Sequence, residues 1–147
     1  MRSIKRLWSL SFLDRSLLAE SFVVLALIKA GLWLLPFRAL RRLLRIDLES
    51  DPQNALVDRA YERKVVWAID AVGHRLPIFK NCLNRALATQ LLLRRRGRRA
   101  KLQFGVIRNS EGRVEFHAWL ERDGEIIIGA LSDLASYSPL GSFKERV

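Results

Sequence analysis

A single thiol and one of only two imidazoles stand thirty-five residues apart, Cys82 in Asn81-Cys82-Leu83-Asn84 and His117 in Phe116-His117-Ala118-Trp119. A cysteine that attacks an acyl carbon works as the thiolate and needs an imidazole to accept and return a proton, and such partners are commonly distant in sequence. The chemistry this pair could do is acyl transfer through a thioester, ending in hydrolysis if water takes the acyl group or in transamidation if an amine does.

For that chemistry the chain must hold the sulfur where negative charge is favoured. From Cys82 the apolar positions Leu83, Ala86, Leu87, Leu91 and Leu93 fall at helical spacing, and Gly97 closes the segment. Asn81 is a good N-cap, so Cys82 is placed in the first turn, where orphan N–H groups and the positive end of the macrodipole stabilise an anion. Lys80 and Arg85 add positive charge. His117 falls in Arg113 to Glu121, which reads as a strand after the turn Asn109-Ser110-Glu111-Gly112. Asp123-Gly124 reads as a two-residue hairpin loop that sets Arg122 against Glu125 and His117 against Ala130, after the apolar strand Glu125 to Gly129. No carboxylate then lies opposite the imidazole. Taken separately each residue has a plainer role, Cys82 as a small core residue and His117 as a structural one; their contexts together favour the catalytic role.

Around these residues the sequence resembles the lasso-peptide maturation proteases, a transglutaminase-like branch of cysteine peptidases that remove the leader from a ribosomally made precursor. The resemblance rests on Cys82-Leu83, Arg85-Ala86-Leu87-Ala88, Leu92-Leu93-Arg94-Arg95-Arg96-Gly97, Leu102-Gln103-Phe104-Gly105-Val106 and His117-Ala118-Trp119-Leu120-Glu121 with Asp123-Gly124. Similarity continues upstream in Val66-Trp67-Ala68-Ile69 and Leu34-Leu35-Pro36-Phe37-Arg38, so it spans nearly the whole chain.

The resemblance implies an α+β fold with a transglutaminase-like or papain-like core, in which N-terminal helices precede a cysteine-bearing helix packed on a small antiparallel sheet. It implies Cys82 as nucleophile and His117 as general base. In enzymes of this fold an aspartate about a dozen residues after the histidine usually orients the ring, and that position falls here near Gly129. Asp133 is the nearest downstream carboxylate and is the candidate third residue if the chain bulges or curls back, with a Cys-His dyad as the alternative. Glu121 shares the face of His117 but lies roughly 13 Å along the strand. Gln103 and Trp119 are candidate oxyanion donors beside the Cys82 backbone N–H. No metal and no cofactor is implied.

The same resemblance implies partners. The chain holds no winged-helix-like pattern for binding a leader, so a stand-alone precursor-recognition protein is expected to deliver the precursor peptide, and an ATP-dependent lasso cyclase to close the ring on the freed amine.

Composition bounds the alternatives. With 147 residues, half of them hydrophobic, the chain is one domain's worth. One cysteine excludes an intramolecular disulfide and fits a reducing cytoplasm, and two histidines with no paired cysteines argue against zinc. His74 lies near a helix end that favours a cation. Residues 16–37 are apolar over nearly a bilayer's length, but Glu20 and Lys29 interrupt them, and Asp14, Arg15 and Glu20 spoil a secretory signal after the basic start Met1 to Arg6. The segment is therefore read as a buried or partner-covered helix, membrane association being the less favoured alternative. Pro36 ends it, a short basic helix covers Arg38 to Arg45, and a linker covers Asp47 to Asn54. The division expected is an N-terminal helical region, residues 1–50, for an interface or partner docking, and a peptidase core, residues 51–147, opening with a helix from Ala55 to about His74.

The net charge of +11 asks for an anionic partner. Arg94, Arg95, Arg96, Arg98, Arg99 and Lys101 form the densest cluster, yet no nucleic-acid-binding motif accompanies them, so acidic leader residues or an acidic companion are preferred over nucleic acid. A transglutaminase-type acyl transferase and a non-catalytic basic adaptor that binds nucleic acid are the alternatives from other classes.

Overall fold

In the computed structural model, residues 8–45, 59–122, 124–131 and 137–139 are described. Asp133, Asp123, the linker Asp47 to Asn54, the expected boundary at residues 50 and 51, and the basic start Met1 to Arg6 lie outside them. Helices α1 (Phe12–Leu34), α2 (Phe37–Leu44), α3 (Arg59–Arg75) and α4 (Cys82–Arg95) precede strands β1 (Lys101–Arg108), β2 (Val114–Arg122), β3 (Glu125–Ile128) and β4 (Ser138–Pro139). A 3-10 turn, Pro77–Phe79, joins α3 to α4. The fold is α+β, with an antiparallel sheet in the order β3-β2-β1-β4.

Local signals set the helix ends. Ser11 caps α1 by accepting from the Asp14 N–H at 3.2 Å, and Lys64 Nζ on α3 donates to Asp14 Oδ1 at 3.1 Å, so the start of α1 is fastened to α3. Pro36, which has no N–H to lose, stops α1 and begins α2. Glu20, the acidic residue within α1, pairs with Arg95 at the end of α4. Arg94 donates to the last carbonyls of α2, on Leu44 and Arg45, and Arg96 and Arg98 lie over the Tyr61 ring at 4.7 and 5.3 Å. Much of the basic cluster therefore holds helices together.

The core lies between the helices and one face of the sheet. Val24, Leu25 and Ile28 of α1, Val65 and Ile69 of α3 and Leu87, Leu92 and Leu93 of α4 pack with Leu102, Ala118, Leu120 and Ile128 of the sheet. α1 is sparsely covered: it is long and apolar enough to cross a membrane by length and composition, and only 22% of its most apolar window is buried.

The hairpin corrects one expectation. Arg122 faces Glu125 as anticipated, but the register then shifts, with Glu121 opposite Ile126 and Leu120 opposite Ile128. A bulge absorbs one residue of β3 and re-aims the chain beyond it, so His117 does not pair with Ala130.

Candidate active site

Cys82 is the first residue of α4. Its neighbour Asn81, in extended conformation, accepts from the Leu83 N–H at 2.9 Å, which is the cap the sequence anticipates. The half-buried thiol thus lies beside the first-turn N–H groups that a helix leaves without helical partners.

His117 comes from the middle of β2, opposite Gly105 of β1. Ala118 and Leu120 enter the core, so period-two alternation sends His117 and Trp119 to the other face. There the imidazole stacks on Trp119, with ring centroids 6.0 Å apart and planes 19° from parallel, and meets Tyr137 at 5.7 Å. Gly105 makes room for this: a Cβ there would come within 2.9 Å of both the Trp119 ring and Tyr137 Cβ.

Among the described residues the hydrogen-bond partner of the ring is backbone. His117 Nε2 lies 2.6 Å from the Gly129 carbonyl oxygen. A carbonyl can only accept, so Nε2 carries the hydrogen and Nδ1 is left with the lone pair of a base. Gly129 reaches this position at φ +93°, where a Cβ would stand 2.9 Å from Trp119 Cβ and 3.0 Å from the Ala118 oxygen. Gly129 therefore presents its carbonyl in a backbone conformation that favours glycine. Asp133 lies outside the described residues.

Cys82 and His117 both line one cavity of about 280 Å³, which sits where β3 has ended and Gly129 to Leu131 leave the sheet. Arg85, one turn beyond Cys82, and Asp70 of α3 line it too and form an ion pair. Burial pushes the Arg85 guanidinium below its ordinary value, and Arg85 Nε is buried without a partner. A guanidinium so placed remains a cation and supplies positive potential beside the thiol. Asp70 was not singled out in the sequence; the available signal was its i, i+4 relation to Val66, which lines the same cavity.

The other candidates lie elsewhere. Gln103 Nε2 donates to Glu121 Oε1 at 2.9 Å and Trp119 Nε1 to Glu121 Oε2 at 3.2 Å, and neither residue lines the cavity. His74 is exposed in the last turn of α3. Among the described residues no three of His, Cys, Asp and Glu come together as a metal site.

The family model described as the transglutaminase-like superfamily matches residues 22–142. The chain belongs to that superfamily. No curated protein and no solved structure matches it. Transglutaminase-like proteins are generally catalytic, as cysteine peptidases or acyltransferases, and the matched stretch includes both Cys82 and His117. It also begins within α1, so part of that helix lies inside the transglutaminase-like match.

Proposed function

We propose that this transglutaminase-like chain is a cysteine peptidase that cuts the leader from a lasso precursor peptide. The observation that carries the thiol chemistry is one cavity lined by a helix-start cysteine and by a histidine whose Nε2 is held by a backbone carbonyl. The leader-peptide substrate is supported by the sequence motifs around both residues.

In the proposed reaction the Cys82 thiolate attacks the carbonyl at the leader–core junction, and the orphan N–H groups at the start of α4 face the developing oxyanion. His117, protonated at Nδ1 by the thiol, gives that proton to the departing amine. It then takes a proton from water, whose oxygen adds to the thioester and releases the carboxylate while the thiol leaves. Gly129 keeps the ring oriented throughout; unlike a carboxylate it brings no full negative charge to the imidazolium. A separate recognition protein delivers the precursor and an ATP-dependent cyclase consumes the freed amine, in the reducing cytoplasm that suits a catalytic thiol.

Mass spectrometry of a candidate precursor incubated with the recognition protein and this chain tests the proposal. One cleavage that disappears in Cys82→Ala is expected. Cleavage that survives the substitution removes Cys82 as nucleophile. A product joined to an added amine in place of the free acid identifies an acyltransferase, the other activity found in the superfamily.

A further inference from the structure

Of the three polar residues wholly or almost wholly buried in α4, two find partners. Thr89 donates to the Arg85 carbonyl at 2.9 Å and Gln90 to the Ala100 carbonyl at 2.8 Å. Asn84 is wholly buried, yet among the described residues neither its Nδ2 nor its Oδ1 has a partner. Leaving a buried amide unsatisfied is costly, and a buried polar group without a partner calls for a ligand or an ordered water.

Asn84 lines a second cavity, about 570 Å³ in volume, between α1 and the start of α4. Its walls are apolar, from Phe22, Ala26, Trp33, Ile78 and Phe79, with Asn81 at the helix start and the exposed Lys29 at the edge. Lys80 stands between the lining residues Phe79 and Asn81. At 100° per residue Asn84 is about 200° round the helix from Cys82, so this groove is on the far side of α4 from the catalytic cavity.

We propose that this groove is a subsite for the peptide substrate, in which the buried carboxamide of Asn84 turns out toward the groove and pairs with one backbone amide of an extended segment. Resting on the peptide-substrate reading, it names what holds the chain away from the cut. A carboxamide offers one donor and one acceptor side by side, and one residue of an extended peptide presents its own N–H and C=O toward the same side. The apolar walls take that residue's side chain, and Lys29 and Lys80, on a chain of net charge +11, favour acidic neighbours. A helix with its side chains is about 10 Å across, and an extended peptide advances about 3.3 Å per residue. The bound residue is thus three or four positions from the scissile bond, with the peptide passing over the exposed Asn81.

The test uses the full chain as Cys82→Ala, which binds without cutting, and a fluorescein-labelled decapeptide carrying one leucine between two glutamates. A second peptide has that leucine's amide nitrogen methylated. Fluorescence anisotropy is expected to show the methylated peptide binding about tenfold more weakly, as loss of one hydrogen bond to a buried partner implies. Adding Asn84→Ala should make the two peptides equally weak. Adding Ala26→Trp, on the opposite wall, should abolish binding with the circular dichroism spectrum unchanged, which keeps the test decisive if Asn84→Ala fails to fold.

Equal binding of the two peptides, binding that survives Ala26→Trp, or no binding at millimolar peptide overturns the proposal and leaves Asn84 to a buried water. Groove-dependent binding of the decapeptide, together with a wild-type chain that cleaves no precursor, keeps the groove and sinks the peptidase.

Discussion

His117 Nε2 and the Gly129 carbonyl oxygen lie 2.6 Å apart, and this hydrogen bond assigns the ring's two nitrogens their roles. Gly129→Ala strikes it without touching Cys82 or His117. At φ +93° and with Trp119 Cβ 2.9 Å from the new methyl, the backbone must move. Strain of this kind costs on the order of 1–3 kcal/mol. Precursor cleavage should fall at least about tenfold in kcat/KM because the ring loses its orientation. Full activity in a folded Gly129→Ala protein would show that the carbonyl does not position the base.

The Arg85–Asp70 pair lines the cavity that Cys82 and His117 share, with side chains 24% and 36% exposed. Asp70→Asn leaves a partly buried guanidinium beside the thiol without its counter-charge. Solvent screens the pair, so the expected loss in urea unfolding is about 1 kcal/mol, not the several of a fully buried pair. Replacing both residues by leucine should recover part of that loss. A double variant as unstable as the sum of the single ones would rule out coupling between them.

Acid should weaken the start of α1. The Asp14 carboxyl is held below its ordinary value, first by the Ser11 side chain and then by hydrogen bonding to Lys64. A depressed folded-state value means that the stabilisation is complete above the unfolded value, about pH 4, and is lost as pH falls through the folded one. The difference in Tm between wild type and Asp14→Asn should therefore be present at pH 7 and shrink below about pH 4. A difference that persists unchanged at pH 2 would exclude this linkage.

Two leucines two residues apart on α1 should behave oppositely. Leu25 is fully buried in the core, and its replacement by alanine should cost about 2–5 kcal/mol in chemical denaturation. Leu27 is 65% exposed, and Leu27→Ala should change stability by less than about 0.5 kcal/mol. A small effect at both sites would mean that α1 is an appendage and not part of the core.

Local chemistry made much of this protein legible in its sequence. Asn81 before a helical apolar pattern located Cys82 at a helix start, Pro36 marked the break between α1 and α2, and two flanking turn signals located β2. Each depends on residues within a few positions of one another, where propensity and capping act. Tertiary structure decided the rest. The two-residue β4 lacks enough residues for a period to show, and forms only because Gly105 and Val106 of β1 offer it an edge. The bulge in β3 depends on how its apolar run meets the core, and two registers of Glu125-Ile126-Ile127-Ile128 look alike in sequence. The group that orients His117 is a carbonyl, which every residue carries and no side chain announces. The site pairs Asp70 with Arg85, and brings Cys82 to the cavity of His117, only because α3, α4 and the sheet pack on one core.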